Sequence, residues 1–125
     1  MRARRSSRIA GGERSSDPEA CREAALRLLE RQRRTRSDLE RRLREKGYEP
    51  GAVAAVLERL AGVGLVDDVE YARAFLAGRR ARRTSGRRRV EQELRARGVS
   101  AEDIAIASAR LDEEQGAVDE IAGAR

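Results

Sequence analysis

The feature that most constrains this chain is that it repeats itself at a fixed offset. Residues 37–60 read SDLERRLREKGYEPGAVAAVLERL, and residues 88–111 read RRVEQELRARGVSAEDIAIASARL. They match without a gap at an offset of 51 positions: Leu39 falls on Val90, Leu43 on Leu94, Gly47 on Gly98, Val53 on Ile104 and Leu60 on Leu111. A fixed internal period is the mark of stacked helical units, each too small to bury its apolar face alone. Such a chain reads as a binding scaffold rather than as the wall of a catalytic pocket.

The local signals are helical throughout. Asp17-Pro18 reads as an N-cap followed by proline at the first helical position. From there Cys21, Ala24, Ala25, Leu28 and Leu29 fall on one face. Thr35-Arg36 breaks that run. Ser37-x-x-Glu40 reads as a capping box opening a short helix that buries Leu39 and Leu43. Gly47 reads as the glycine just past the helix end, with Tyr48 packing back on it. Pro50 starts a third helix with Val53, Val56, Leu57 and Leu60 inward, closed by Gly62 and Gly64.

A second unit is expected from Leu65. One of Asp67 and Asp68 caps a helix that turns Val69, Ala72, Phe75 and Leu76 inward. A basic loop runs from Arg79 to Arg89. The next helix buries Val90 and Leu94 and stops at Gly98. Ser100 caps the following helix, with Ile104, Ala107 and Leu111 inward. After Leu111 the pattern starts a third time, with an acidic turn at Asp112, Glu113 and Glu114, then Ala117, Val118 and Ile121. The expected organisation is therefore a disordered basic tail over 1–16, three-helix repeats over 17–64 and 65–111, and the first helix of an incomplete third repeat over 112–125.

Composition narrows the chemistry. Hydrophobic residues make up 39% of the 125, many of them Ala, so each unit has a thin core. There is no His and one Cys, which removes His general bases, Ser-His-Asp triads, Cys/His zinc sites and an internal disulfide. Cys21 reads as a small buried hydrophobe. Asp67-Asp68 could be offered as a metal or acid/base pair, but capping and the helix dipole account for an acidic pair at a helix start. No cofactor or metal is expected, and no enzyme. No window reaches a membrane-spanning length, and the N-terminus has neither the apolar stretch of a signal peptide nor what a twin-arginine signal needs. The expectation is a cytoplasmic protein.

The net charge is +6, and 27 of the 28 cations are Arg. A genome rich in GC produces such a ratio without any functional demand. A guanidinium fork nonetheless binds phosphate or carboxylate bidentately. Arg79, Arg80, Arg82, Arg83, Arg87, Arg88 and Arg89 surround the turn Thr84-Ser85-Gly86, and Arg33, Arg34 and Arg36 occupy the first inter-helix turn. These ten are the candidate contacts to DNA or to an acidic partner. On one edge of the stacked units they would form a stripe matched to a helical filament. The plain alternative is a set of solvated loops. Arg2, Arg4, Arg5, Arg8 and Arg14 read as a solubilising tail. Tyr48, Tyr71 and Phe75 are assigned to packing, which leaves few platforms for stacking on nucleic-acid bases.

Several pieces in order carry a family resemblance: the helix ending Leu28-Leu29; Arg36-Ser37-x-x-Glu40, closing in Lys46-Gly47; Leu60-x-x-x-Gly64-Leu65-Val66-Asp67-Asp68-x-x-Tyr71-Ala72; Gly86-x-x-Arg89-Val90-x-x-Glu93-Leu94; and Arg97-Gly98-Val99. Over about two thirds of its length the chain resembles RecX, the family of regulators of the bacterial RecA recombinase. The resemblance implies an all-α fold of tandem three-helix repeats in an elongated, curved arrangement. It implies binding to the RecA–single-stranded DNA filament and its inhibition in recombination, DNA repair and the SOS response, with the recombinase and single-stranded DNA as partners. A monomer is expected, and duplex DNA is the alternative nucleic-acid partner. The resemblance implies no catalysis and no membrane. The alternative is a DNA-binding protein with a helix-turn-helix-like unit at Gly47-Tyr48. Against that, the helix after the turn is mostly apolar, whereas a recognition helix needs polar side chains that reach base edges.

Overall fold

In a computed structural model of the chain, residues 15–82 and 86–123 are described. Residues 1–14 of the tail expected over 1–16, Arg83, Thr84 and Ser85 of the basic loop, and Ala124 and Arg125 of the expected third repeat lie outside the described residues. Among the described residues six helices follow one another: α1 Pro18–Arg31, α2 Arg36–Glu45, α3 Pro50–Gly62, α4 Asp68–Arg82, α5 Arg87–Ala96 and α6 Ala101–Gly123. Extended pairing among the described residues is limited to an isolated bridge between Ser15 and Tyr48. The chain divides into two compact units, one ending at Asp67 and the other beginning at Asp68.

The repeat seen in the sequence is a repeat of backbone hydrogen bonds. At the end of α2, Gly47 N donates to Arg44 O at 3.0 Å and Tyr48 N to Leu43 O at 3.2 Å. At the end of α5, Gly98 N donates to Arg95 O at 3.0 Å and Val99 N to Leu94 O at 3.1 Å. Both glycines take left-handed φ, 107° and 97°, which a side chain would resist. The two turns thereby stop their helices with the same pair of bonds. The burial pattern follows the same offset: Leu39 with Val90, Leu43 with Leu94, Val53 with Ile104, Val56 with Ala107 and Leu60 with Leu111 are all buried. It extends back into α1 and α4, where Cys21 matches Ala72 and Ala25 matches Leu76.

Several boundaries differ from expectation. The cap of α2 is Thr35, whose hydroxyl accepts from Asp38 N at 3.2 Å, rather than Ser37. Thr35 is itself buried, so its hydroxyl is satisfied inside the fold while the exposed Ser37 has water available. The first unit extends beyond Gly64, because Val66 is buried in its core and its N–H reaches Leu60 O. Ser15, expected in the disordered tail, is held by the first unit: its N–H donates to Gly47 O and its carbonyl accepts from Glu49 N, both at 2.8 Å. No new helix starts at Asp112. α6 runs through to Gly123, since nothing between Leu111 and Gln115 breaks a helix, and ion pairs from Arg80 to Asp112 (2.9 Å) and Arg73 to Glu114 (3.2 Å) tie it to α4. Val118 and Ile121, expected inward, are exposed.

Candidate functional site

The ten candidate arginines divide between the units. In the first, Arg33 is exposed. Arg34 is not: its side chain is 7% exposed, its Nε donates to Leu28 O at 3.1 Å, and its Nη1 pairs with Asp38 at 3.0 Å. Arg36 reaches Glu58 at 3.4 Å. Arg34 therefore closes the C-terminus of α1 onto the start of α2, and its charge is committed to the fold.

In the second unit Arg79 pairs with Glu93 at 2.6 Å and lies 4.6 Å from the centre of the Phe75 ring. Arg80 pairs with Asp112. Arg87 pairs with Glu91 at 2.8 Å and reaches the buried Ser108 hydroxyl at 3.4 Å. Arg82, Arg88 and Arg89 are exposed. Arg83 lies outside the described residues. Arg82 at the end of α4 and Arg88 and Arg89 at the start of α5 are thus the exposed candidates of the second unit that have no ion pair among the described residues.

Their placement differs in electrostatic cost. Cations in the last turn of α4 suit the negative end of its dipole, whereas Arg87, Arg88 and Arg89 sit in the first turn of α5, which has no acidic residue. The repeat supplies the comparison. At the same place in the first unit, Thr35 caps α2 and Asp38 stands in the first turn. In the second unit these positions hold Gly86, which makes no side-chain cap, and Arg89. The α5 N-terminus thus gathers unfavourable positive charge beside backbone N–H groups that have no intrahelical partner, a combination that an anion relieves.

Sequence reasoning missed Arg97, which sits just past α5. Its guanidinium lies 5.0 Å from the Phe75 ring centre and donates to the Tyr71 hydroxyl at 3.1 Å. Tyr71 and Phe75 are stacked, 6.3 Å apart and 20° from parallel. Both are partly buried against the second core rather than enclosed by it. Tyr48, by contrast, is buried as expected. The i,i+4 pair Tyr71/Phe75 is visible in the sequence, but its meeting with the end of α5 is not.

The remaining candidates have structural explanations. Cys21 is wholly enclosed, and burial pushes its thiol up to about 11, so it stays protonated at neutral pH. Asp68 opens α4. Among the described residues no group of three His, Cys, Asp or Glu could hold a metal, and no helix is long and apolar enough to cross a membrane. The outward residues of α3 are Pro50, Gly51, Ala54, Ala55, Glu58, Arg59 and Gly62, poor in groups that read base edges.

Two successive three-helix units sharing one turn geometry define an all-helical tandem-repeat protein. Residues 21–60 match the first three-helix domain of RecX and residues 67–107 match the second. The chain belongs to the RecX family. It is 39% identical to regulatory protein RecX of Mycolicibacterium smegmatis over 83% of its own length and 57% of that protein's. It is 48% identical to regulatory protein RecX of Halorhodospira halophila over 66% of its length and 50% of that protein's. A crystal structure of regulatory protein RecX superposes with a TM-score of 0.70 at 28% identity, covering 74% of this chain and 47% of that one. The chain spans about half the length of the relatives it matches.

Proposed function

We propose that this chain is a cytoplasmic regulator that binds the RecA–single-stranded DNA filament and inhibits it, without catalysis of its own, in recombination and DNA repair. The reading rests on its family membership, and one observation carries it to a nucleoprotein partner. Where the first repeat caps its second helix with Thr35 and sets Asp38 in its first turn, the second repeat sets three arginines against the dipole of α5. Such an arrangement lowers local stability and is compensated by phosphate. Adding the protein to a strand-exchange reaction, or to a filament-dependent ATPase assay, is expected to lower the recombinase rate in proportion to dose. An unchanged rate at several-fold excess over filament would refute the reading.

A further inference from the structure

Four planar groups meet in the second unit. Phe75 lies beside the guanidiniums of Arg79 and Arg97, and Tyr71 is stacked along α4 next to it. Under the repeat offset, the first unit has Ala24, Leu28 and Lys46 where the second has Phe75, Arg79 and Arg97. Ala24 and Leu28 are buried, so in the first unit these two helix positions pack with aliphatic side chains instead.

Each guanidinium has a donor engaged within the protein: Arg79 Nη2 with Glu93, and Arg97 Nη1 with the Tyr71 hydroxyl. An acidic peptide would compete with Glu93 and the Tyr71 hydroxyl for those donors, because carboxylates bind guanidinium forks in plane. A guanidinium also has a flat face, and Arg97 is exposed. Unpaired nucleic-acid bases stack on such faces. The surroundings favour a polyanion. Glu93 carries one negative charge among Arg79, Arg97 and Arg89, and its carboxyl is held low by the Arg79 hydrogen bond, with the charges of Arg97 and Arg89 adding to it.

We propose that the Tyr71–Phe75–Arg79–Arg97 surface is a contact for single-stranded DNA, on which an unpaired base stacks against the outer face of Arg97. Arg97 gains its orientation from Phe75 beneath it and from the Tyr71 hydroxyl at its edge. A duplex keeps its base faces covered, so the surface selects single strands. This assignment rests on the reading that the protein works on a nucleoprotein filament, and it names which nucleic-acid feature is touched.

The test compares the wild-type chain on oligothymidylate and on an abasic oligomer of equal length and backbone charge. Stacking of one base corresponds to about a fivefold to hundredfold affinity difference in favour of the base-bearing strand. Arg97→Lys keeps the charge and removes the plane, so it should erase that preference while leaving the salt slope and the melting curve unchanged. Equal affinity of the wild type for both oligomers, no binding to either, or a full base preference in Arg97→Lys overturns the proposal. Recombinase inhibition is measured separately on the same proteins. Inhibition without base preference sinks this site alone, and base preference without inhibition sinks the filament reading alone.

Discussion

Arg34 Nε donates to the carbonyl oxygen of Leu28 across the turn from α1 to α2. That carbonyl also receives the Gln32 N–H at 3.4 Å, and the other end of the guanidinium holds Asp38. One arginine of a basic run thus serves as the C-terminal clasp of α1, although its neighbour Arg33 is exposed.

The difference between these neighbours is measurable. Arg34→Gln leaves a largely enclosed carbonyl short of a strong donor and Asp38 short of a partner. It is expected to lower the stability of the first unit by about 1–3 kcal/mol. Arg33→Gln is expected to stay within about 0.5 kcal/mol of the parent. Urea denaturation of both variants separates the two roles, and equal stabilities would remove the clasp.

Asp38 ties the same turn to pH. Burial opposes its charge, but hydrogen bonds from Arg34, Arg42 and Arg41, with the charge of Arg42, prevail and hold its carboxyl below the ordinary value. A group whose folded pKa is depressed stabilises the fold above its unfolded pKa, near 3.9, and loses that contribution as pH falls through the folded value. Unfolding free energy should therefore be level from neutral pH to about 5 and fall below about 4. Asp38→Asn should be less stable at neutral pH and show a shallower acid limb. A variant with the parent's acid limb would place the titration elsewhere.

Gly86 caps α5 without a side chain, and a Cβ placed there meets open space. Its φ of −71° suits any L-residue. Gly86→Asp should cap α5 and offset Arg87, Arg88 and Arg89, raising stability by about 0.5–1 kcal/mol. The same carboxylate occupies the place proposed for a phosphate, so affinity for the filament should fall as the melting temperature rises. Thermal melts alongside filament binding test this opposition. Stability and binding rising together would contradict it.

Arg82, Arg88 and Arg89 are exposed cations flanking the α4–α5 connection. Changing all three to Gln should leave the melt nearly unchanged, within about 0.5 kcal/mol per site. Binding to the filament or to bare single strands should weaken, with a salt dependence shallower by about 0.7 for each phosphate no longer neutralised. Binding at parental strength at every salt concentration would make the loop a solvated turn. Leu94→Ala supplies the contrast: Leu94 is wholly enclosed, and its truncation should cost about 2–5 kcal/mol and abolish binding only through unfolding.

The sequence by itself determined the helices, their repeat and most of the core. Each of these is encoded locally. Period-3.6 apolar positions select the inward face, Asp17, Ser100 and Pro50 mark helix starts, and Gly47 and Gly98 supply the one backbone conformation that side chains resist. What only the tertiary structure decided is the use of the charges. Arg33, Arg34, Arg88 and Arg97 are the same residue in the sequence, and no period distinguishes them. Which guanidinium is enclosed, which is paired and which presents a face depends on groups brought close from elsewhere: Asp38 and the Leu28 carbonyl for Arg34, Phe75 and Tyr71 for Arg97. The same holds for the end of α6. Its acidic turn resembles a helix start, but Arg73 and Arg80 on α4 meet Glu114 and Asp112 there and carry the helix onward. Long flexible side chains take their partners from three-dimensional proximity rather than from spacing along the chain, so their roles become legible only once the backbone has placed them.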